Sequence, residues 1–311
     1  MKFGILGDAA ISREQLIPAI HQAGCSFVHL GTRNPRKLSR ATYDTSIRIG
    51  HYEDVLTNSE VDAVYIPLPN HLHAEWSVRA LNAGKHVLCE KPMALSLSEI
   101  KAVEAAAVAN NCYFYEAYMV RSHPQWKWLK QVDIGTAMHL SASFSYPPRP
   151  FGDIRNFANM GGGPVLDIAG YAALAGIMIF ESEPKLLSCD IQMEPHLDVE
   201  RTMNALLDFG KDRRLSMQVS SAMALSQTVR LTSDRGWATL NTPFNSSEIA
   251  TARWAVGELG EGKKITFEPC NQYALMLKEF VASCQKRAKP NFTVSRQICS
   301  LLEHILSMRA K

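Results

Sequence analysis

The 311-residue sequence lacks several features that mark particular classes of protein. Its seven cysteines are scattered, odd in number and without C-x-x-C spacing, which predicts a reduced, cytoplasmic protein without structural zinc. No uninterrupted apolar run approaches the roughly 20 residues of a membrane span, and we expect no signal peptide because a strand follows Met1 and Lys2 directly. The net charge of +3 is too small to indicate binding to nucleic acid or to a membrane surface.

What is present, 46% apolar and 20% charged residues, is typical of a soluble globular chain with about two domains. Strands predicted at 2–6, 26–31, 61–68, 86–89 and 113–117 alternate with helices, which favours a doubly wound parallel sheet. From about residue 122, strands follow one another mostly without helical crossovers. We therefore predict an α/β fold: an N-terminal Rossmann-type dinucleotide-binding domain, residues 1–121, followed by an α+β domain with a large open, mostly antiparallel sheet, residues 122–311.

The glycine fingerprint of a dinucleotide-binding turn is incomplete after the first strand. Gly7 is present, but Ala9 and Ser12 stand at the second and third glycine positions of G-x-G-x-x-G. Gly7 permits the tight turn, and Ala9 is small enough for a pyrophosphate to approach the helix N-terminus. This motif alone is weak, and an ordinary strand–helix turn is the alternative.

The end of the second strand lacks the acidic residue that usually holds the ribose hydroxyls of NAD. No Asp or Glu occurs between Glu14 and Asp44, whereas Thr32 and Arg33 stand at the strand end with Lys37 close behind. A hydroxyl and a guanidinium suit a 2′-phosphate, so the pattern favours NADP, with NAD the less favoured cofactor. The alternative is a solvated basic helix face.

The segment Val87-Leu88-Cys89-Glu90-Lys91-Pro92 predicts a ligand-facing lysine. The apolar residues end a buried strand. Proline has no backbone N–H to donate to a neighbouring strand, so the chain leaves the sheet there. Ligands of open parallel sheets bind outside the carboxyl ends of the strands, where we expect Lys91 to lie. A surface Glu–Lys pair is the alternative.

A second candidate site follows three consecutive glycines at 161–163. Asp167 and Tyr171 are four residues apart on a predicted helix, so they share one face. Three glycines raise the chain entropy lost on folding, and we expect them where backbone passes close to a ligand. Alone, the pair is equally typical of a helix-dipole carboxylate and a core tyrosine. His71, His123, His139 and His196 have no ligand spacing, so no metal site is predicted.

These segments, in this order, resemble the Gfo/Idh/MocA (glucose–fructose oxidoreductase / inositol dehydrogenase) family over nearly the whole chain. The matching motifs are Gly7-x-Ala9, Pro69-Asn70-x-x-His73, Ala83-Gly84-Lys85-His86-Val87-Leu88-Cys89-Glu90-Lys91-Pro92, Glu116-Ala117-Tyr118-Met119-x-Arg121-x-His123-Pro124-Gln125, Gly161-Gly162-Gly163-x-x-x-Asp167-x-x-x-Tyr171 and Thr232-Ser233-Asp234-Arg235-Gly236 through Pro243-Phe244. The branch it most resembles contains the sugar 1-dehydrogenases and dimeric dihydrodiol dehydrogenases. Ala169-Gly170 and Asp153-Ile154-Arg155 depart from the usual pattern, which puts the substrate in doubt more than the cofactor.

The resemblance implies hydride transfer between NADP and a carbinol or carbonyl carbon of a sugar, polyol or cyclic diol. Tyr171 and Lys91 would be the acid/base pair, with the Lys91 ammonium lowering the pKa of the phenol from its usual value of about 10. Asp167, Arg121 and Arg155 would contact the substrate. Residues expected at the cofactor are Gly7, Asp8, Ala9, Ala10, Ile11, Thr32, Arg33, Lys37, Leu68, Pro69, Asn70, His73, Glu90 and Lys91.

Two alternatives remain at this stage: another substrate class of the family, such as trans-dihydrodiols or ketosugars, or a non-catalytic NADP-sensing regulator. The family also implies a dimer through the second sheet. Because a sheet with helices on one side leaves its other face open, we expect an apolar open face that a second copy covers. The helix predicted at 273–284 could instead cover that face.

Overall fold

The computed structural model describes residues 1–38, 43–257 and 260–309 and divides into two compact units. The first unit comprises Met1–Met119 and Gln272–Ser295, and the second comprises Val120–Asn271 and Arg296–Lys311. We expected all of residues 122–311 in one domain, but helix α7 (Gln272–Gln285) belongs to the first unit and packs on helix α1 (Ile17–Gln22). The ring of Phe280 on α7 lies 6.0 Å from that of Phe3, in the core of that unit.

The first unit contains a parallel six-stranded sheet in the order β3-β2-β1-β4-β5-β6. Its strands are β1 (Lys2–Leu6), β2 (Ser26–Gly31), β3 (Arg48–Gly50), β4 (Ala63–Ile66), β5 (His86–Cys89) and β6 (Phe114–Glu116). Its other helices are α2 (Tyr52–Thr57), α3 (His73–Asn82) and α4 (Leu97–Ala109). This topology confirms the predicted Rossmann-type sheet; β3 and α2 are additional to the predicted elements.

Strand β1 lies between β2 and β4, so the chain reverses its winding there. All four residues of β4 are buried, as expected for a strand covered on both faces. Glycine at position 31 is required by α2, because a Cβ there would lie 3.0 Å from the Cα of Tyr52. The carboxyl edge beside β1 is where open parallel sheets bind ligands.

The second unit contains an eight-stranded sheet in the order β14-β13-β12-β11-β7-β10-β9-β8. Its strands are β7 (Ala137–Ser145), β8 (Lys185–Met193), β9 (Glu200–Asp208), β10 (Arg214–Ser220), β11 (Ser226–Ser233), β12 (Gly236–Leu240), β13 (Thr251–Val256) and β14 (Lys263–Thr266). Its helices are α5 (Pro124–Gln131), α6 (Gly170–Phe180) and most of α8 (Thr293–Leu306). Only β7 and β10 pair in parallel among these described strands, which confirms a mostly antiparallel sheet.

One face of this sheet is covered by helix α6, which packs on β7 and β10. Gly176 permits the close approach, since a Cβ there would lie 2.6 Å from the Cζ of Phe209. The stretch Ala158–Phe180 is long and apolar enough to cross a membrane, because it contains an 18-residue window with a mean hydropathy of 1.6. However, 83% of that window is buried inside the fold. We interpret it as a core helix.

The opposite face of the sheet is polar, so the expectation of an apolar open face was wrong. On β7, Leu140, Ala142 and Phe144 are buried, whereas the alternate residues Ser141 and Ser143 are partly exposed. Their cross-strand neighbours are also mostly polar: Ser216 and Gln218 on β10, and Thr228 and Arg230 on β11. Strand alternation therefore assigns apolar side chains to the face under α6 and mostly polar side chains to the other.

Candidate active site

The turn after β1 has the conformation that a dinucleotide-binding turn needs. Gly7 has a φ of +115°, its N–H donates to the Gly31 carbonyl at 2.8 Å, and a Cβ there would lie 3.1 Å from a methyl of Leu68. The chain then enters a π-helical turn, Ser12–Leu16. The buried Ser12 hydroxyl has no hydrogen-bond partner among the described residues, and a pyrophosphate oxygen could satisfy it. This turn fits the phosphates of a dinucleotide.

Asp8 in the same turn is held by side chains of this unit. Arg13 donates to both its carboxylate and its carbonyl oxygen, and the Tyr43 hydroxyl donates to Oδ1 at 2.5 Å. Burial and this contact raise the pKa of the Tyr43 phenol to about 12. These contacts tie Tyr43 to the dinucleotide turn, a role that the sequence reasoning did not assign to Tyr43 or Arg13.

Cationic side chains lie exposed after β2. Arg33 and Lys37 are exposed and Thr32 is partly exposed. Among residues 1–38, 43–257 and 260–309, no ion pair joins Arg33 or Lys37 to a carboxylate. These cations are therefore available to a phosphate, as a 2′-phosphate site requires.

The Lys91 loop is held by neighbours on both sides of the lysine. The Glu90 N–H donates to the Ile66 carbonyl at 3.1 Å, and the Tyr65 hydroxyl donates to the Glu90 carboxylate at 2.7 Å. Beyond the cis Lys91–Pro92 bond, the Met93 N–H donates to Glu116 at 2.9 Å. Lys91 therefore follows the carboxyl end of β5, on the edge where open parallel sheets bind ligands.

His73 is placed differently from the expectation of a cofactor contact. It is the first residue of α3 and only 1% exposed. Its Nδ1 lies 2.7 Å from the Pro92 carbonyl oxygen, and its Nε2 lies 2.7 Å from the Leu68 carbonyl oxygen. Both ring nitrogens are thus engaged by backbone. Of the other predicted cofactor residues, Ala9, Ile11, Pro69 and Asn70 are partly exposed, Ala10 is exposed and Leu68 is buried.

In the second unit, Asp167 lies in a charged cluster. Arg155 Nε donates to Asp167 Oδ2 at 2.8 Å, and Arg155 also pairs with Asp153 at 3.2 Å. The charge of Asp167 is the largest cause that raises the pKa of the Arg155 guanidinium. Tyr146 joins the cluster: burial, and then the charge of Asp167, raises the pKa of its phenol. The structure thus brings together two predicted substrate residues and adds Tyr146, which strand position alone did not single out.

Tyr171, the predicted acid/base, is 5% exposed. Its ring lies 5.9 Å from that of Phe144 and 5.6 Å from that of Phe244, so much of the side chain packs in an aromatic cluster. Arg121, the other predicted substrate residue, is exposed in a short 3₁₀ turn, Met119–Ser122.

The three glycines before Asp167 are required by protein neighbours, which removes the argument for a ligand at that turn. Gly161 has a φ of +76°, and a Cβ on Gly162 would lie 2.5 Å from the Arg155 carbonyl oxygen. Gly163 has a φ of +94°, and a Cβ there would lie 2.0 Å from Glu200 Oε2. Glu200 is fully buried and accepts from Arg309 Nε at 2.6 Å. Burial raises the pKa of the Glu200 carboxyl, against the opposing effect of Arg309.

Family comparison agrees with the two-unit architecture. The model described as "Oxidoreductase family, NAD-binding Rossmann fold" matches residues 1–118, and the "GFO/IDH/MocA C-terminal domain" matches residues 126–239. The chain therefore belongs to the Gfo/Idh/MocA family of oxidoreductases, as the sequence motifs predicted.

Individual relatives cover most of the chain. An uncharacterised oxidoreductase of Rhizobium meliloti is 33% identical over 91% of this chain and 88% of its own. D-xylose 1-dehydrogenase (NADP(+)) 2 of Haloferax volcanii is 29% identical over 93% of this chain and 91% of its own. Among solved structures, the 3-ketoreductase KijD10 of Actinomadura kijaniata, in complex with NADP and TDP-benzene, aligns with a TM-score of 0.92 and 26% identity over 99% of this chain and 97% of its own.

Proposed function

We propose that this protein is an NADP-dependent oxidoreductase that transfers a hydride between the nicotinamide and a carbinol or carbonyl carbon of a sugar, polyol or cyclic diol. The observation that carries the proposal is the Lys91 loop, held by hydrogen bonds at the carboxyl edge of a parallel sheet in an oxidoreductase family. When bound, the cofactor supplies the hydride chemistry. The chain's own residues must bind it, orient the substrate and move the hydroxyl proton.

NADP is favoured over NAD by the charge at the end of β2. Thr32, Arg33 and Lys37 offer a hydroxyl and two cations to a 2′-phosphate, and a carboxylate there would repel it. The turn from Gly7 to Ile11 would hold the pyrophosphate, with the buried Ser12 hydroxyl as an added donor. A relative named as NADP(+)-dependent and a neighbour solved with NADP support the same choice.

The proton is assigned to Tyr171 and Lys91 as the acid/base pair. Asp167 would accept hydrogen bonds from substrate hydroxyls, and its contact with Arg155 orients it. Arg155 and Arg121 are the candidates for further substrate contacts. Tyr146, the second phenol near Asp167, is a rival for the proton and serves as a control below.

A reductase of nucleotide-linked ketosugars is the second candidate. It is supported by the alignment with KijD10 over 99% of this chain and by a dTDP-3,4-didehydro-2,6-dideoxy-α-D-glucose 3-reductase, 34% identical over 67% of this chain. The same residues would then protonate the alkoxide formed when a ketone accepts hydride. The two candidates differ in the substrate and in the favoured direction of the reaction.

The experiment is a substrate screen that follows the absorbance of the reduced cofactor, with aldoses, polyols, cyclic trans-diols and a dTDP-ketosugar. Lys91→Met should lower turnover by roughly 10²–10⁴-fold, the contribution of a positioned proton-transfer group, while NADP binding, measured by fluorescence titration, survives. Lys101→Met, an exposed lysine on α4, is the matched control and should leave both unchanged. Tight NADP binding with no turnover on any substrate would support a non-catalytic NADP-sensing regulator instead.

We also propose that the chain forms a two-fold dimer through the open face of the eight-stranded sheet. Small hydroxyl side chains on β7 and β10 would let two sheets approach closely, and isologous pairs are the commonest oligomers. Ser143→Glu should dissociate the pair because it would place like charges across the two-fold axis. Light scattering at micromolar concentration that gave a monomeric mass for the unaltered protein would refute the dimer.

A cytoplasmic location is proposed on the chemistry of the thiols. Among the described residues, no disulfide joins any of the seven cysteines, and five of them are buried. Reduced thiols in this number are expected where glutathione keeps them reduced. Fractionation of cells that produce the protein would test this location.

A further inference from the structure

His73 joins the ends of two neighbouring strands in the first unit. Leu68 follows β4 and Pro92 follows β5, and these two strands pair in parallel. The His73 ring is 2.7 Å from the carbonyl oxygen of each of these residues, through different nitrogens. One buried imidazole therefore spans the gap between the Leu68 turn and the Lys91 loop.

The two contacts compete for one proton. Burial lowers the pKa of His73 to about 4, and the charges of Lys91 and His71 act in the same direction, whereas the two carbonyl contacts oppose the shift. The ring is therefore neutral near pH 7 and carries a single N–H. It can donate to the Pro92 carbonyl or to the Leu68 carbonyl, and the tautomer decides which loop is held.

The Pro92 carbonyl matters because of its place beside Lys91. Proline has no N–H, so its carbonyl is the one backbone group through which Pro92 can be hydrogen-bonded. Glu90 and Met93 are anchored on the two sides through their own N–H groups. A donor on Pro92 completes the support of the loop next to the lysine itself.

We propose that His73 is a positioning residue for Lys91, acting as the Nδ1–H tautomer that donates to Pro92. This rests on the role of Lys91 in the proposed function. With 1% of its surface exposed and both nitrogens against backbone, His73 acts through the loop rather than on the substrate. Loss of this donor should misplace Lys91 while leaving its chemistry intact.

The ring offers a matched pair of variants. The amide nitrogen of His73→Asn falls near Nδ1 and can still donate to Pro92, whereas that of His73→Gln falls near Nε2 and can donate only to Leu68. We expect His73→Asn to keep kcat within about threefold and His73→Gln to lose about 10²-fold, the scale of a misplaced catalytic group. The Kd for NADP should stay within a few-fold in both.

His86, at the opposite end of β5, is the structural control. It accepts the Tyr113 N–H at 2.8 Å and is partly buried, so His86→Leu should lower the melting temperature without lowering kcat. Equal kcat for the Asn and Gln variants, or an equal kcat loss in His86→Leu, would overturn the proposal. Imidazole ¹⁵N chemical shifts of the unaltered protein give a test that requires no variant: an Nε2–H tautomer would also overturn it.

A double-mutant cycle separates this proposal from the proposed function. If His73 acts through Lys91, adding His73→Gln to Lys91→Met should lower single-turnover hydride transfer no further. Additive losses would overturn the positioning role and leave the proposed function standing. A Lys91→Met variant with unchanged turnover would instead overturn the proposed function.

Discussion

The two units support their proposed site residues in different ways. In the first, backbone groups of the loop that carries Lys91 are hydrogen-bonded by the Ile66 carbonyl, the Glu116 carboxylate and the His73 ring. In the second, Asp167 depends on charged side chains, since Arg155 links it to Asp153. Loss of a partner in the first unit should therefore leave a backbone group of the loop without its hydrogen bond, whereas loss of a partner in the second leaves a charge unpaired.

The largest expected effect tests the second unit at Tyr171. Tyr171→Phe should lower kcat by roughly 10²–10⁴-fold, the contribution of a positioned proton donor, with NADP binding unchanged. Steady-state kinetics with the substrate found in the screen measures it. Tyr146→Phe is the control and should lower kcat far less. If the two results are exchanged, Tyr146 carries the proton and Tyr171 is a member of the aromatic cluster with Phe144 and Phe244.

The next effect tests how strongly the second unit depends on a buried charge. Arg309→Met should lower the free energy of unfolding by about 3–5 kcal/mol, because Glu200 would remain buried without its partner. Urea unfolding gives the value. Arg214→Met removes the pair with Asp208 at the other end of β9, where both side chains are partly exposed, and should cost about 0–1 kcal/mol. Similar losses in both would mean that Glu200 is protonated when its partner is absent.

The difference between the units also explains what the sequence could predict. Lys91, Thr32 and Arg33 could be proposed as site residues because each follows the end of a parallel strand, and such ends have a known relation to the ligand edge. Tyr146 and the Glu200–Arg309 pair were missed, because their partners lie 21 and 109 positions away and no local pattern joins them. The glycine triplet was identified, but its cause was assigned to a ligand rather than to Arg155 and Glu200.

Acid should destabilise both units through buried histidines. Burial lowers the pKa of His73 and of His123 to about 4, from about 6.5 when unfolded. The unfolded chain therefore binds protons first, so stability is complete above pH 6.5 and falls as the pH drops towards 4. At 1.36 kcal/mol per pKa unit, His73 contributes about 3 kcal/mol. The urea midpoint should depend less steeply on pH in His73→Asn and in His123→Asn than in the unaltered protein. An unchanged pH dependence in either variant would show that the replaced histidine does not cause the loss of stability.

The smallest effect tests the exposed cations of the first unit. Arg33→Ala should weaken NADP binding by about 1.5–3 kcal/mol, the scale of a charged hydrogen bond, and leave NAD nearly unaffected. Fluorescence titration with both cofactors measures the difference. Arg36→Ala, one turn further along the chain, should alter neither. Equal losses for NADP and NAD would show that Arg33 does not bind the 2′-phosphate.

The glycine turn before Asp167 has a consequence for the gene. Every single-base change that replaces a glycine adds a Cβ, and at 162 and 163 that carbon would lie 2.5 and 2.0 Å from an oxygen of the same unit. Gly152, a few residues earlier, has no atom within 4 Å of a built Cβ. A library randomised at all three codons and selected for folded protein should recover many amino acids at 152 and only glycine at 163. At this turn, therefore, no single-base change that replaces a glycine should yield a folded protein.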